Sequence, residues 1–123
     1  CMSPAVTMGN RVILCASEAY PLAATDFVQV LETSDVPAGV INILTGPHDD
    51  IAAHMGGHMD IDAVWSFSTA RHSEVVERTS ASNLKRTWVN NGTARDWFAQ
   101  SGAGREFLDA ATEVKNIWVP YGE

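Results

Sequence analysis

Four short apolar runs punctuate the chain, and segments with helical spacing lie between them. Arg11 to Cys15 (RVILC) follows the turn pair Gly9-Asn10, and Val40 to Leu44 (VINIL) is closed by Thr45-Gly46-Pro47. Asp62 to Phe67 (DAVWSF) and Leu84 to Val89 (LKRTWV) are the third and fourth runs. Runs this short, bounded by turn signals, predict buried strands. Ala23, Phe27 and Leu31 recur at helical spacing, and Pro21 fits a first helical turn, where no N–H is needed. Asp49 to Met55 predicts a second helix, with acids favoured in its first turn and Gly56-Gly57 as its stop. Thr69 to Arg78 predicts a third helix, with Val75 and Val76 turned inward. Arg105 to Ala111 predicts a short helix presenting Phe107, Leu108 and Ala111, and Val114 to Val119 (VKNIWV) a fifth strand ended by Pro120. Gly92 to Gly104, small and polar around Trp97 and Phe98, follows neither period.

Strands alternating with helices over short connections predict an α/β fold: a partial doubly wound, Rossmann-like domain with a mostly parallel sheet and helices on both faces. Val12, Ile13, Leu14, Val28, Leu31, Ile41, Ile43, Val64 and Val89 are the expected core. So few strands leave a sheet edge open, and open edges invite pairing. The run at Ile117, Trp118 and Val119 is the expected pairing segment, so self-association is expected.

The 123 residues fit one modest domain, expected to bury about 65% of the surface its unfolded chain exposes. A net charge of −7 without a Lys/Arg cluster argues against a nucleic-acid partner. No apolar run approaches the ~20 residues needed to span a bilayer, and no signal peptide is visible. Two cysteines, Cys1 and Cys15, are too few for a disulfide framework, so a cytoplasmic setting is the default expectation. A first residue of Cys1 rather than Met points to tag removal, proteolysis or excision from a longer polypeptide. His54 and His58 stand four apart, but Gly56-Gly57 between them breaks the alignment a metal pair needs, so no metal site is expected. Cys15 reads as a buried strand terminus and Asn90 and Asn91 as turn formers; Trp65, Trp88, Trp97 and Trp118 read as buried rings, with a partner-facing place the alternative for Trp97 and Trp118.

Several segments together resemble the aldehyde dehydrogenase superfamily. Pro4 to Leu22 (PAVTMGNRVILCASEAYPL) is similar to the stretch in which a helix ends in PALAAGN, a strand follows and a KPSE motif leads to a proline-started helix. Val36 to Pro47 (VPAGVINILTGP) resembles the next turn, strand and nucleotide-facing loop. Met59 to Val64 (MDIDAV) and Asn83 to Arg86 (NLKR) resemble the leads into two further strands. Ser101 to Val119 (SGAGREFLDAATEVKNIWV) is similar to the family's C-terminal helix and strand, and the closing NIWVPYGE to members with a degenerate second module. The resemblance implies one aldehyde-dehydrogenase-like domain over 1–123, with 1–92 like the cofactor domain and 101–123 an oligomerisation-type helix and strand.

The resemblance carries over position by position, and it decays at the chemistry. The lysine of KPSE is Cys15 here, which offers no charged donors, whereas Glu18 matches the motif's ribose-binding glutamate. Gly46 and Pro47 match the loop along the adenine. The phosphate turn FTGSTEVG falls on Ser66 to Ser73 (SFSTARHS), where Ser68 and Ser73 take both glycine positions and Thr69 keeps a hydroxyl. The base motif ELGG falls on Asn90 to Thr93 (NNGT), and an amide takes up no proton near neutral pH. No cysteine follows Asn90, so the covalent thiohemiacetal step has no nucleophile. The implied cofactor-binding set is therefore Glu18, Gly46, Pro47, Ser68 and Thr69, with no catalytic residue. The bland readings are Glu18 as a polar helix opener and Ser68 and Thr69 as helix caps. A non-catalytic module with an assembly role is expected, without bound cofactor, partnered by its own copies or by a catalytic aldehyde dehydrogenase module. The alternatives are a vestigial domain that binds NAD weakly, or a fragment of an active enzyme whose nucleophile lies elsewhere.

Overall fold

The computed structural model describes residues 1–122. Its order is α1 (Met2–Thr7), β1 (Val12–Cys15), α2 (Leu22–Glu32), β2 (Ile41–Leu44), α3 (His48–Gly57), β3 (Ala63–Ser66), α4 (Ala70–Ser80), β4 (Arg86–Val89), a 3-10 turn (Gln100–Ala103) and α5 (Glu106–Ala110). The fold is the expected α/β alternation with parallel strands. β1 pairs with β2 from Val12 opposite Ile41 to Cys15 opposite Leu44. β3 pairs with β4 from Ala63 opposite Arg86 to Ser66 opposite Val89. The strands form two two-stranded ladders rather than one continuous sheet.

The two halves meet where α3 packs on α4. A Cβ built on Gly56 would lie 1.9 Å from the Thr79 hydroxyl oxygen, so glycine is what lets the helices approach so closely. The helix ends at this glycine pair as expected, with Gly57 its last residue. The α3 carbonyls find donors in the loop before β4: Lys85 Nζ reaches Met55 O at 2.8 Å and Asn83 Nδ2 reaches Gly56 O at 3.1 Å. His58 follows in extended backbone, out of helical register with His54.

The core sits on β3–β4. Val64, Val76, Phe107 and Ala111 are buried there with Ser73 and Ser80. Phe107, 1% exposed, reaches from α5 into a cluster of aromatic rings. Its centroid lies 6.1 Å from Trp65, 6.2 Å from Phe67, 5.0 Å from Trp88 and 6.2 Å from Trp97. Trp65 and Trp88 are register partners and meet edge to face at 5.4 Å. Arg86 Nη1 donates to Thr112 O at 2.6 Å, and Asn10 Nδ2 donates to Ala111 O at 2.9 Å. Both groups of bonds tie the end of α5 to the body of the domain.

Two further expectations need correction. Residues 114–119 form no strand, and 112–122 carry neither helix nor strand. A strand needs a neighbour to take its ladder bonds, and within the described residues this segment has none; Ile117, Trp118 and Val119 remain exposed. The expected core is also less covered than its apolar runs imply. Of those nine residues only Val64 is buried, Ile13 is 42% exposed, and Val12, Leu14, Val28, Leu31, Ile41, Ile43 and Val89 are half-buried. No residue of α2 is buried.

Truncating the central ring tests this account of the core. Phe107→Ala should cost about 3–5 kcal/mol, the usual range for a buried phenylalanine. Chemical denaturation showing a loss below ~1 kcal/mol would place the core elsewhere.

Candidate functional site

The C-terminal ends of the strands carry the polar residues of interest. β1 runs through buried Ala16 to Ser17 and Glu18. Glu18 Oε1 accepts a hydrogen bond from the His48 backbone N–H at the opening of α3. A carboxylate there offsets an orphan donor and the positive end of the helix. His48 turns its ring back, and its Nε2 lies 2.6 Å from Ala16 O. Gly46 precedes α3 at φ +154°, a conformation that other residues rarely adopt, and Pro47 enters the helix in extended backbone.

The turn from β3 into α4 forms the other half. Thr69 caps α4, its Oγ1 accepting from His72 N–H at 3.2 Å. Ser68 Oγ lies 2.8 Å from His72 Nδ1, and His72 Nε2 lies 3.0 Å from Asp49 Oδ1 on α3. Arg71 holds the other Asp49 oxygen at 3.0 Å, and the rings of His48 and His72 meet edge to face at 5.8 Å. These bonds lace the N-termini of α3 and α4 together. They also bring the Glu18–Gly46–Pro47 group next to the Ser68–Thr69 group.

Ser73, fully buried, donates to Thr69 O at 3.2 Å and accepts from Asn91 N–H at 3.2 Å. It thereby fastens the start of α4 to the turn after β4. Asn91 sits in that turn at φ 52°. Asn90 spends its amide N–H on Thr93 O at 2.7 Å, while its Oδ1 is buried without a partner. A shallow cleft of about 440 Å³ opens here, lined by Phe67, Ser68, Thr69, Asn90, Arg95 and Trp97 among others. Arg95 lies against four rings, nearest Phe107 at 4.7 Å, and pairs with Glu106. Among the described residues no group of three or more His, Cys, Asp or Glu is placed to hold a metal ion.

Sequence reasoning missed His48, Asp49, Arg71, His72 and Arg95. The spacing of Ser68 and His72 across a helix start was a local signal. Asp49 reaches His72 only through the packing of α3 on α4. Arg95 carried no signal beyond its aromatic neighbours in sequence.

Cys15 closes β1 half-buried, and its Sγ lies 3.4 Å from Met55 Sδ. Burial raises its pKa. A raised pKa leaves less thiolate at any pH below it, so Cys15 should react with a disulfide reagent more slowly than exposed Cys1. Peptide mapping that found Cys15 modified first would contradict this. Ser73→Ala would leave the Asn91 N–H unpaired and should cost about 1–3 kcal/mol. A melting curve unchanged from the parent would show that the bond does not matter.

The chain matches the aldehyde dehydrogenase family over residues 1–114. It is 30% identical to an aldehyde dehydrogenase of Alternaria alternata over 122 residues, covering 98% of this chain and 23% of that protein. It is 34% identical over 92 residues to the NADP/NAD-dependent aldehyde dehydrogenase PuuC of Escherichia coli (strain K12), covering 74% of this chain and 19% of that one. An indole-3-acetaldehyde dehydrogenase solved in complex with NAD+ superposes with a TM-score of 0.69 at 32% identity, over 74% of this chain and 19% of that chain. The chain thus spans about a fifth of the length of these relatives.

Proposed function

The chain belongs to the aldehyde dehydrogenase family, and from that premise we propose that it is a structural module of the family that does not oxidise aldehydes itself. Its partner is a second copy or a catalytic aldehyde dehydrogenase module. The observation that carries this reading is the turn between β3 and α4. A dinucleotide diphosphate held in the family's manner needs bare backbone at a helix N-terminus. Here Ser68 and Ser73 stand in the two glycine positions, and both side chains are already hydrogen-bonded inside the protein. Glu18, the residue matching the ribose ligand, is committed to the His48 N–H, and Cys15 replaces the lysine. These residues do not fit the cofactor's diphosphate. Asn90 in place of a base supports the same reading.

The assembly role is supported by what the chain leaves uncovered. Each ladder has only two strands, so each has unpaired edges. Ile13 and Leu44 are about two-fifths exposed on β1 and β2, and Ile117 and Trp118 are more than four-fifths exposed in the tail. A second reading draws on α2, which buries none of its eleven residues: the chain is one stretch of a longer aldehyde dehydrogenase whose other parts cover that helix. The mass of the protein in its source cell separates these two readings.

Calorimetry with NAD should show no binding tighter than about 1 mM, equivalent to roughly −4 kcal/mol. Sedimentation at micromolar concentration should show association of the chain with itself or with a co-expressed catalytic module. A monomer under both conditions, or clear NAD binding, would overturn the scaffold role.

A further inference from the structure

Three side chains at the openings of α3 and α4 stand in the order hydroxyl, imidazole, carboxylate. Ser68 Oγ is 2.8 Å from His72 Nδ1, and His72 Nε2 is 3.0 Å from Asp49 Oδ1. We propose that Ser68, His72 and Asp49 form an acyl-transfer site, with Ser68 as the nucleophile and small alkyl or aryl esters as substrates. This goes beyond the scaffold role and does not depend on it.

The hydrogen-bond chemistry fixes the roles. A carboxylate only accepts, so the imidazole nitrogen facing Asp49 carries the proton. The nitrogen facing Ser68 then has a free lone pair and accepts the Ser68 O–H. That tautomer makes His72 a general base toward this hydroxyl, with Asp49 orienting the ring and stabilising the imidazolium that forms. The ring is well held: the His72 side chain is 14% exposed, the His48 ring lies against it, and its backbone N–H is capped by Thr69. Arg71 shares the carboxylate through the other oxygen, but its side chain is 74% exposed and its charge is screened by water.

Ser68 sits between β3 and α4 and lines the cleft of about 440 Å³. The positive end of α4 begins beside it, the polarity an oxyanion forming there requires. Phe67 and Trp97 supply an apolar wall for an alkyl or aryl group. In the reaction, Ser68 Oγ bonds to the ester carbonyl carbon as its proton passes to His72 Nδ1. The tetrahedral adduct collapses, the bond from carbon to the alcohol oxygen breaks, and His72 returns the proton to that oxygen. Water then attacks acyl-Ser68 by the same route and releases the carboxylic acid. Ser68 takes a family glycine position and His72 the valine position of the same aligned turn, while Asp49 lies outside the aligned chemical motifs.

The test uses a fluorophosphonate probe, whose phosphorus bonds to an activated serine oxygen as fluoride departs. It is applied to the full chain with Cys1→Ser and Cys15→Ser, so that neither thiol contributes. Peptide mass mapping should find the probe on Ser68 alone. Labelling should vanish in Ser68→Ala and slow by about 100-fold or more in His72→Asn, the usual minimum for a lost general base. Hydrolysis of 4-nitrophenyl acetate should fall in parallel, with circular dichroism confirming that each variant is folded. If a variant does not fold, the labelling site in the folded parent decides. No label on Ser68, or a label whose rate ignores His72→Asn in a folded variant, would overturn the proposal and reduce the three residues to a tie between two helices.

Discussion

The seating of Phe107 among Trp65, Phe67, Trp88 and Trp97 is the contact on which the rest depends. α5 has only five residues, too short to be stable alone. Its place is set by one buried ring and by the bonds from Arg86 and Asn10 to the carbonyls at its end. Because Phe67 and Trp97 belong both to this cluster and to the cleft wall, the same packing shapes the space in front of Ser68. Arg95 completes the arrangement. Its guanidinium lies against the rings while Glu106 and Ser101 O accept from its Nη2, so the irregular segment after Gly92 is fastened to the β3–β4 half.

On the proposed scaffold reading, the family's packing and the family's chemistry have separate fates in this chain. The strand and helix positions build the α/β layers seen in the solved relative. At the strand ends, side chains occupy places that family members leave as bare backbone. Ser73 shows the exchange most clearly: its hydroxyl joins α4 to the turn after β4, a structural bond where a glycine would leave room. Glu18 likewise serves the opening of α3. Each bond secures the fold, and on the scaffold reading proposed above each also keeps a diphosphate from the turn.

Much of this was legible in the sequence, and the failures have physical causes. The four strands follow from short branched runs between turn residues, and Thr69 as a cap follows from its place before a helical period. The fifth strand failed because Val114 to Val119 has the composition of a strand but no partner within the described residues. The Gly56-Gly57 pair does close α3, but its second role, letting α3 and α4 approach at Gly56, had no local signature. Ile13 was expected inside because an apolar run reports what can be buried, whereas actual burial depends on packing from elsewhere, and among the described residues Ile13 stays 42% exposed. The Asp49–His72 contact spans two helices and had no local signature. Glu18, Gly46, Pro47, Ser68 and Thr69 were placed at the strand ends by resemblance, and they do lie there, but the bonds that occupy Glu18 and Ser68 became visible only in three dimensions.

The most direct test of the central claim is steady-state turnover of the isolated chain with an aldehyde and NAD or NADP. The account predicts no reduced nicotinamide above the uncatalysed background. Sustained turnover by the pure chain, surviving replacement of both cysteines, would show that a reactive site for aldehyde oxidation is present after all.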